Sequence, residues 1–100
     1  MPDPRLFPIT TSLDVTLAVP DTSVVISVAN DGRRDIEIVN DSDVVIYISR
    51  TNPAIVGVGM RLNPYGGSYS MDMQNFWLGP FCAICNPGED GSLTISEGSV

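Results

Sequence analysis

Histidine and lysine are both absent from this 100-residue sequence, and each absence removes a branch of chemistry. Without histidine no Ser-His-Asp or Cys-His arrangement can be built, and the commonest ligand of catalytic zinc, copper and iron sites is missing. Without lysine, Schiff-base chemistry and lysine general bases are excluded. No apolar stretch approaches the roughly 20 residues that span a bilayer, and the chain has no helical periodicity. The amino terminus lacks the charged start and apolar run of a signal peptide, so assembly in a cytosol is expected, with both cysteines reduced. Positive charge is scarce: five arginines stand against twelve acids, a net charge of −7. Such a surface repels phosphate backbones, which argues against nucleic acid as a partner. Carboxylates, tyrosines, cysteines and arginines are what remains, and that inventory reads as non-enzymatic.

What the chain does have is Val and Ile in period-two alternation. Ile36, Ile38 and Asn40 alternate with Asp35, Glu37 and Val39, and after Asp41-Ser42-Asp43 the residues Val44, Ile46 and Ile48 alternate with Val45, Tyr47 and Ser49. Each run reads as a strand with one buried face. Two such runs about a turn-rich cluster predict an antiparallel hairpin. Residues opposite one another share a face. A two-residue loop would set Glu37 against Ile46, whereas a three- or five-residue loop sets Ile36 against Ile48 and Ile38 against Ile46. The odd loop is therefore expected. The other face of this hairpin would present Val39, Val45 and Tyr47, too apolar to be left to water, so these are expected oligomer or shell contacts.

Further strands are expected over 13–19, 24–29, 60–62, 69–73, 81–85 and 93–97, where Leu93, Ile95 and Glu97 alternate. Turn signals fall between them at Pro20-Asp21, Asn30-Asp31-Gly32, Asn63 to Gly67, Asn75 to Pro80 and Pro87 to Gly91. About eight strands and no helix predict an all-β, single-domain antiparallel β-sandwich or small jelly roll over residues 13–100. Residues 1–12 carry Pro2, Pro4 and Pro8, which disfavour helix and central strand. This segment reads as an extended arm, with Leu6, Phe7 and Ile9 as contacts to a neighbouring subunit.

The candidate sites are few. Cys82-Ala83-Ile84-Cys85 matches C-x-x-C but has no partner pair for zinc, and residues three apart on a strand point to opposite faces. Two free thiols and no cofactor are expected. Asp41-Ser42-Asp43 and Glu89-Asp90 offer oxygen ligands but sit at turns, where Asp occurs for backbone reasons. Arg33-Arg34 could meet a phosphate or a surface partner, and with Asp31 and Asp35 beside it local pairing is the alternative. Trp77 and Tyr65 could contact a partner or form a carbohydrate platform, whereas Tyr69, Met71 and Met73 read as core.

The order of these motifs resembles a group of small virion proteins of tailed bacteriophages. The resemblance rests on Asn30, Arg33-Arg34, Ile36 to Asn40, Val44 to Ile48, Leu62 to Gly67, Tyr69, Phe76 to Gly79, Ala83-Ile84 and Thr94 to Gly98. It covers residues 30–98, and the turn Asn63 to Gly67 is longer than the Leu-x-Pro-Gly pattern. It implies a decoration, cement or head-fibre protein of the capsid, located in the virion. Its partners would be copies of itself, as a homotrimer, and a major capsid or other virion protein. A particle-displayed carbohydrate- or receptor-binding β module is the competing expectation.

Overall fold

Alternating β-branched residues produce strands throughout, joined by the Pro-, Gly- and Asp-rich turns. The computed structural model describes residues 9–72 and 74–100. Its strands are β1 (Thr11–Val19), β2 (Val24–Ser27), β3 (Arg33–Asn40), β4 (Ile46–Ser49), β5 (Met60–Leu62), β6 (Ser68–Met71), β7 (Phe81–Cys85) and β8 (Gly91–Ser99). They form two four-stranded sheets, in the orders β1-β8-β3-β6 and β2-β7-β4-β5. Every ladder is antiparallel. Except between β4 and β5, each connection carries the chain from one sheet to the other. That is the strand order of an eight-stranded jelly roll, within the all-β, antiparallel sandwich class expected from the alternation. The first strand begins at Thr11, two residues before the expected edge of the domain, and Leu6, Phe7 and Met73 lie outside the described residues.

The inward rows fill the space between the sheets. Ile36, Ile38, Met71, Leu93 and Ile95 come from the first sheet, and Ile46, Ile48, Leu62, Phe81, Ala83 and Cys85 from the second. Burying an Ile or Leu side chain contributes about 1.5–3 kcal/mol, so this layer supplies most of the stabilisation.

The expected hairpin does not form. β3 and β4 lie in different sheets, so Ile36 pairs with Met71 and Glu97, and Ile38 with Tyr69 and Ile95. Ile46 pairs with Leu62 and Cys85, and Ile48 with Met60 and Ala83. All four isoleucines are buried as expected, but they face one another across the core. Alternation reports which face of a strand is buried, and both arrangements bury the same faces. It does not report the neighbour.

Asn40 closes the crossing from β3 to β4. It is fully buried, and its amide nitrogen donates to the carbonyls of Val44 (2.7 Å) and Leu62 (3.0 Å). Its Oδ1 accepts from the backbone N–H and hydroxyl of Ser42. Its own N–H donates to Gly67 and its carbonyl accepts from Gly66, both at 2.8 Å. One side chain thus ties the ends of β3 and β5 to the 41–45 crossing.

The cysteines separate as strand geometry requires. Cys85 points inward and its thiol donates to the Val19 carbonyl at 3.2 Å, while Cys82 lies on the outer row beside Val25 and Ser49. Cys82 is nevertheless fully buried. Segment 50–54 folds back over this face, where the buried Ala54 donates its N–H to Ser23 Oγ and Ser49 bonds Thr51. Both thiols are free. Burial pushes both upward in pKa, and the charges of Glu89 and Asp90 push Cys85 further.

Two outcomes follow from these placements. Asn40→Ala removes the side-chain donor to the Val44 and Leu62 carbonyls and the acceptor of the Ser42 bonds, and lowers stability by about 2–4 kcal/mol, read as a reduced denaturant midpoint at unchanged slope. The thiols resist alkylation in the native state and react on unfolding. Because the folded thiols ionise later than unfolded ones (about 8.5), their contribution to stability is constant below that pH and falls above it. Urea titrations between pH 7 and 10 measure this, and replacement of both cysteines by Ser removes it.

Candidate functional site

The most elaborate side-chain constellation begins with a β-bulge. Arg33 opposes Ser99 and Asp35 opposes Gly98, so Arg34 is an extra residue with no counterpart on β8. Counting back by two from Ile38 and Ile36 would put Arg34 in the inward row and Arg33 on the surface. The bulge shifts that parity and turns Arg33 inward, a common use of bulges.

Arg33 is fully buried and every donor of its guanidinium is used. Nε donates to Glu97 Oε2 in a salt bridge. Nη1 donates to the carbonyls of Trp77 (3.0 Å) and Gly79 (2.7 Å), and Nη2 to Ser27 Oγ (2.9 Å) and the Val28 carbonyl (2.8 Å). Ser27 Oγ in turn donates to Glu97 Oε2 at 3.2 Å. The Phe81 ring lies with its centroid 5.2 Å from the guanidinium carbon, within cation–π range. One side chain thereby joins β3 and β8 of the first sheet, β2 and β7 of the second, and the corner before β7.

That corner is built around Trp77. Its indole N–H donates to the Pro80 carbonyl at 3.0 Å and its backbone N–H to the Met71 sulfur at 3.0 Å. A Cβ on Gly79 would collide with the indole ring, so only glycine fits there. Asn30 N–H donates to the Leu78 carbonyl at 2.8 Å and ties in the β2–β3 loop. Arg50 stacks near both Tyr69 and Trp77, 5.9 Å from each ring, and donates to the Tyr69 hydroxyl at 2.7 Å. Arg34 lies over Phe76 at 5.9 Å.

The structure disperses the other residues singled out by sequence. Arg33 is not a surface contact, because the bulge buries it, and its carboxylate partner is Glu97 instead of Asp31 or Asp35. Arg34 is half-buried. Tyr65 is 81% exposed, but its N–H bonds Ser42 at the Asn40 end of β3, whereas Trp77 meets Arg33 at the other end. Seven strand residues separate those ends by about 23 Å. The two aromatics therefore form no common platform, and Trp77 is half-buried in its own corner.

Val39, Val45 and Tyr47 do not share a face either. Val39 is on the outer face of the first sheet, opposite Thr94 and Ser68. Val45 precedes β4, and Tyr47 is on the outer face of the second sheet between Arg61 and Ile84. All three are half-buried, and the separation follows from β3 and β4 belonging to different sheets. Ile9 is exposed and lies against Gly98, where an added Cβ would sit 2.7 Å from Ile9 Cδ1.

The outer face of the first sheet carries an open groove of about 540 Å³ lined by Asp14, Thr16, Glu37, Val39, Thr94 and Ser96. Ser96 Oγ donates to Asp14 at 2.6 Å. Among the described residues no three carboxylates or thiols converge as a metal-ligand set.

Sequence reasoning placed Glu97 in a strand but did not single it out as a site residue. Glu97 follows Leu93 and Ile95 in an inward-facing alternation, and a carboxylate in such a row needs a buried cation. Compared with protein-family models, curated proteins and solved structures, the chain matches none.

Arg33→Met removes the cation and strands Glu97, lowering stability by about 3–5 kcal/mol. Arg33→Met with Glu97→Leu recovers much of that loss, since the uncompensated carboxylate is gone. Arg33→Lys does not, because an ammonium cannot supply five donors in a planar fork. Chemical denaturation of the three variants measures the ordering.

Proposed function

We propose that this chain is a non-enzymatic structural protein of a bacteriophage virion that decorates or cements the capsid. The observation that carries the reading is where the resemblance motifs fall. Arg33, Trp77, Gly79 and Glu97 form the buried network, Asn30 bonds the same corner, and Asn40 closes the opposite end. The motifs on which the resemblance to small phage virion proteins rests are thus the joints of the sandwich. A subunit whose task is to hold a shape on a particle needs such joints more than it needs a reactive site. The jelly-roll order supports the reading, since that architecture recurs in viral capsid proteins, although it also serves lectins.

On this reading copies assemble as a trimer on a major capsid protein, the stoichiometry the resemblance implies. The carbohydrate-binding alternative loses its main support, because Trp77 and Tyr65 sit at opposite ends of β3.

Proteomics and cryo-EM of purified particles from the source of this sequence test the proposal. The expected result is the chain in stoichiometric amount, with an eight-stranded domain on the shell. Recovery only in the soluble fraction, with saturable glycan binding on an array, overturns it.

A further inference from the structure

Every open sheet has two edges, and an edge strand offers unpaired N–H and C=O groups to any extended chain. Three of the four edges here are blunted. β2 has four residues with a register shift between Val25 and Ser27, β5 has three residues and β6 has four. β1 differs in every respect. It runs nine residues, pairs with β8 without a shift from Thr11↔Ser99 to Val19↔Gly91, and has no described strand on its free side. Its length is about 30 Å. It contains no proline, lysine or arginine, and one charge, Asp14.

The sandwich is also open along this edge. Leu13 belongs to the inward row with Val15 and Leu17 and stands opposite Glu97, yet it is 57% exposed. Val28, whose carbonyl accepts from Arg33, is 72% exposed. Leu13 therefore flanks the buried ion pair from one sheet and Val28 from the other.

We infer that β1 is the edge through which two copies of this chain join, antiparallel about a two-fold axis at Val15. The two first sheets would then merge into one continuous eight-stranded sheet. The sequence of β1 fits its own copy in this register. Inward, Val15 meets Val15 and Leu13 meets Leu17, which covers the exposed leucine; the new ladder stops short of Val19, which is fully buried in its own chain with its carbonyl bonded to the Cys85 thiol. Outward, Asp14 meets Thr16 and Ser12 meets Ala18, so no charge lies directly opposite a like charge. A two-fold contact of this kind is isologous and closes on itself. The chain's own first residues are a poor occupant. Pro2, Pro4 and Pro8 cannot donate to a ladder, and Ile9 lies over Gly98 of β8 instead of outboard of β1. The inference stands independently of any particle, and the same edge can join neighbouring trimers or make a free dimer.

The contact is tested with the full chain by light scattering, cross-linking and amide exchange. Leu13→Lys places a charge on the inward row of the edge. It is expected to weaken association by about tenfold or more with an unchanged circular dichroism spectrum. Val15→Cys is the register test, because residue 15 alone faces its own copy at a separation a disulfide can bridge. It should cross-link to dimer on mild oxidation, while Ala18→Cys, opposite Ser12, should not; the native cysteines are buried and do not interfere. Two chains of net charge −7 repel, so association should strengthen from about 0.01 M to 0.15 M salt as screening shortens. Four results would overturn the inference. They are a strictly monomeric protein at high concentration, association indifferent to Leu13→Lys, cross-linking as fast at position 18 as at 15, or β1 amide protection in a monomer that vanishes when residues 1–8 are removed.

Discussion

The fold depends on a positive charge held inside it. Arg33 and Glu97 come from adjacent strands of one sheet, but the guanidinium spends its remaining donors on β2 and on the corner before β7. Burying such a pair has a desolvation cost comparable to its Coulomb gain, so its presence says little about net stability. Its geometry says more. Five donors in one rigid plane accept only one arrangement of the two sheets and the corner, and any slip leaves a buried charge incompletely bonded. The pair selects among packings that an Ile-rich core alone would leave close in energy.

A second tie point completes the arrangement. Asn40 is the last residue of β3 and Arg33 the first, so this central strand is fastened at both ends. Between them lie Ile36 and Ile38, whose burial is non-directional. Direction comes from the polar ends and stabilisation from the apolar middle. The neutral amide and the charged fork serve the same purpose with different chemistry. Asn40 makes four side-chain hydrogen bonds without a counter-ion, whereas Arg33 needs Glu97 before it can be buried at all.

Much of this was legible residue by residue, and what escaped did so for identifiable reasons. Period-two alternation located the strands and their buried rows, because a half-buried strand leaves that imprint on composition. Pairing escaped because a jelly roll sends consecutive strands to opposite sheets, and the inward rows look the same either way. The orientation of Arg33 escaped because a bulge shifts parity by one and Arg34 carries no local sign of it. Nearby Asp31 and Asp35 then offered plausible partners, while the true one is 64 residues away. The retrievable clue was Glu97. A carboxylate in step with Leu93 and Ile95 falls on the inward row, where a cation is its natural partner, and in a chain of five arginines the search for that partner is short.

The position of the buried tie points bears on where contacts with other molecules should be sought. In this small β domain, Arg33, Trp77, Glu97 and Asn40 each satisfy several elements with one side chain, and Gly79 contributes its carbonyl and the space for the indole ring. These positions hold the frame, and the surfaces between them are left for contacts with other molecules. The features of this chain that face outward lie off those joints: the exposed Tyr65 beside the Asn40 corner, the apolar tip Ile55-Val56-Gly57-Val58, and the long edge of β1. Of these, β1 alone is an extended row of backbone donors and acceptors on a rigid frame. Such a row can bind another chain through its backbone alone, without reactive side chains.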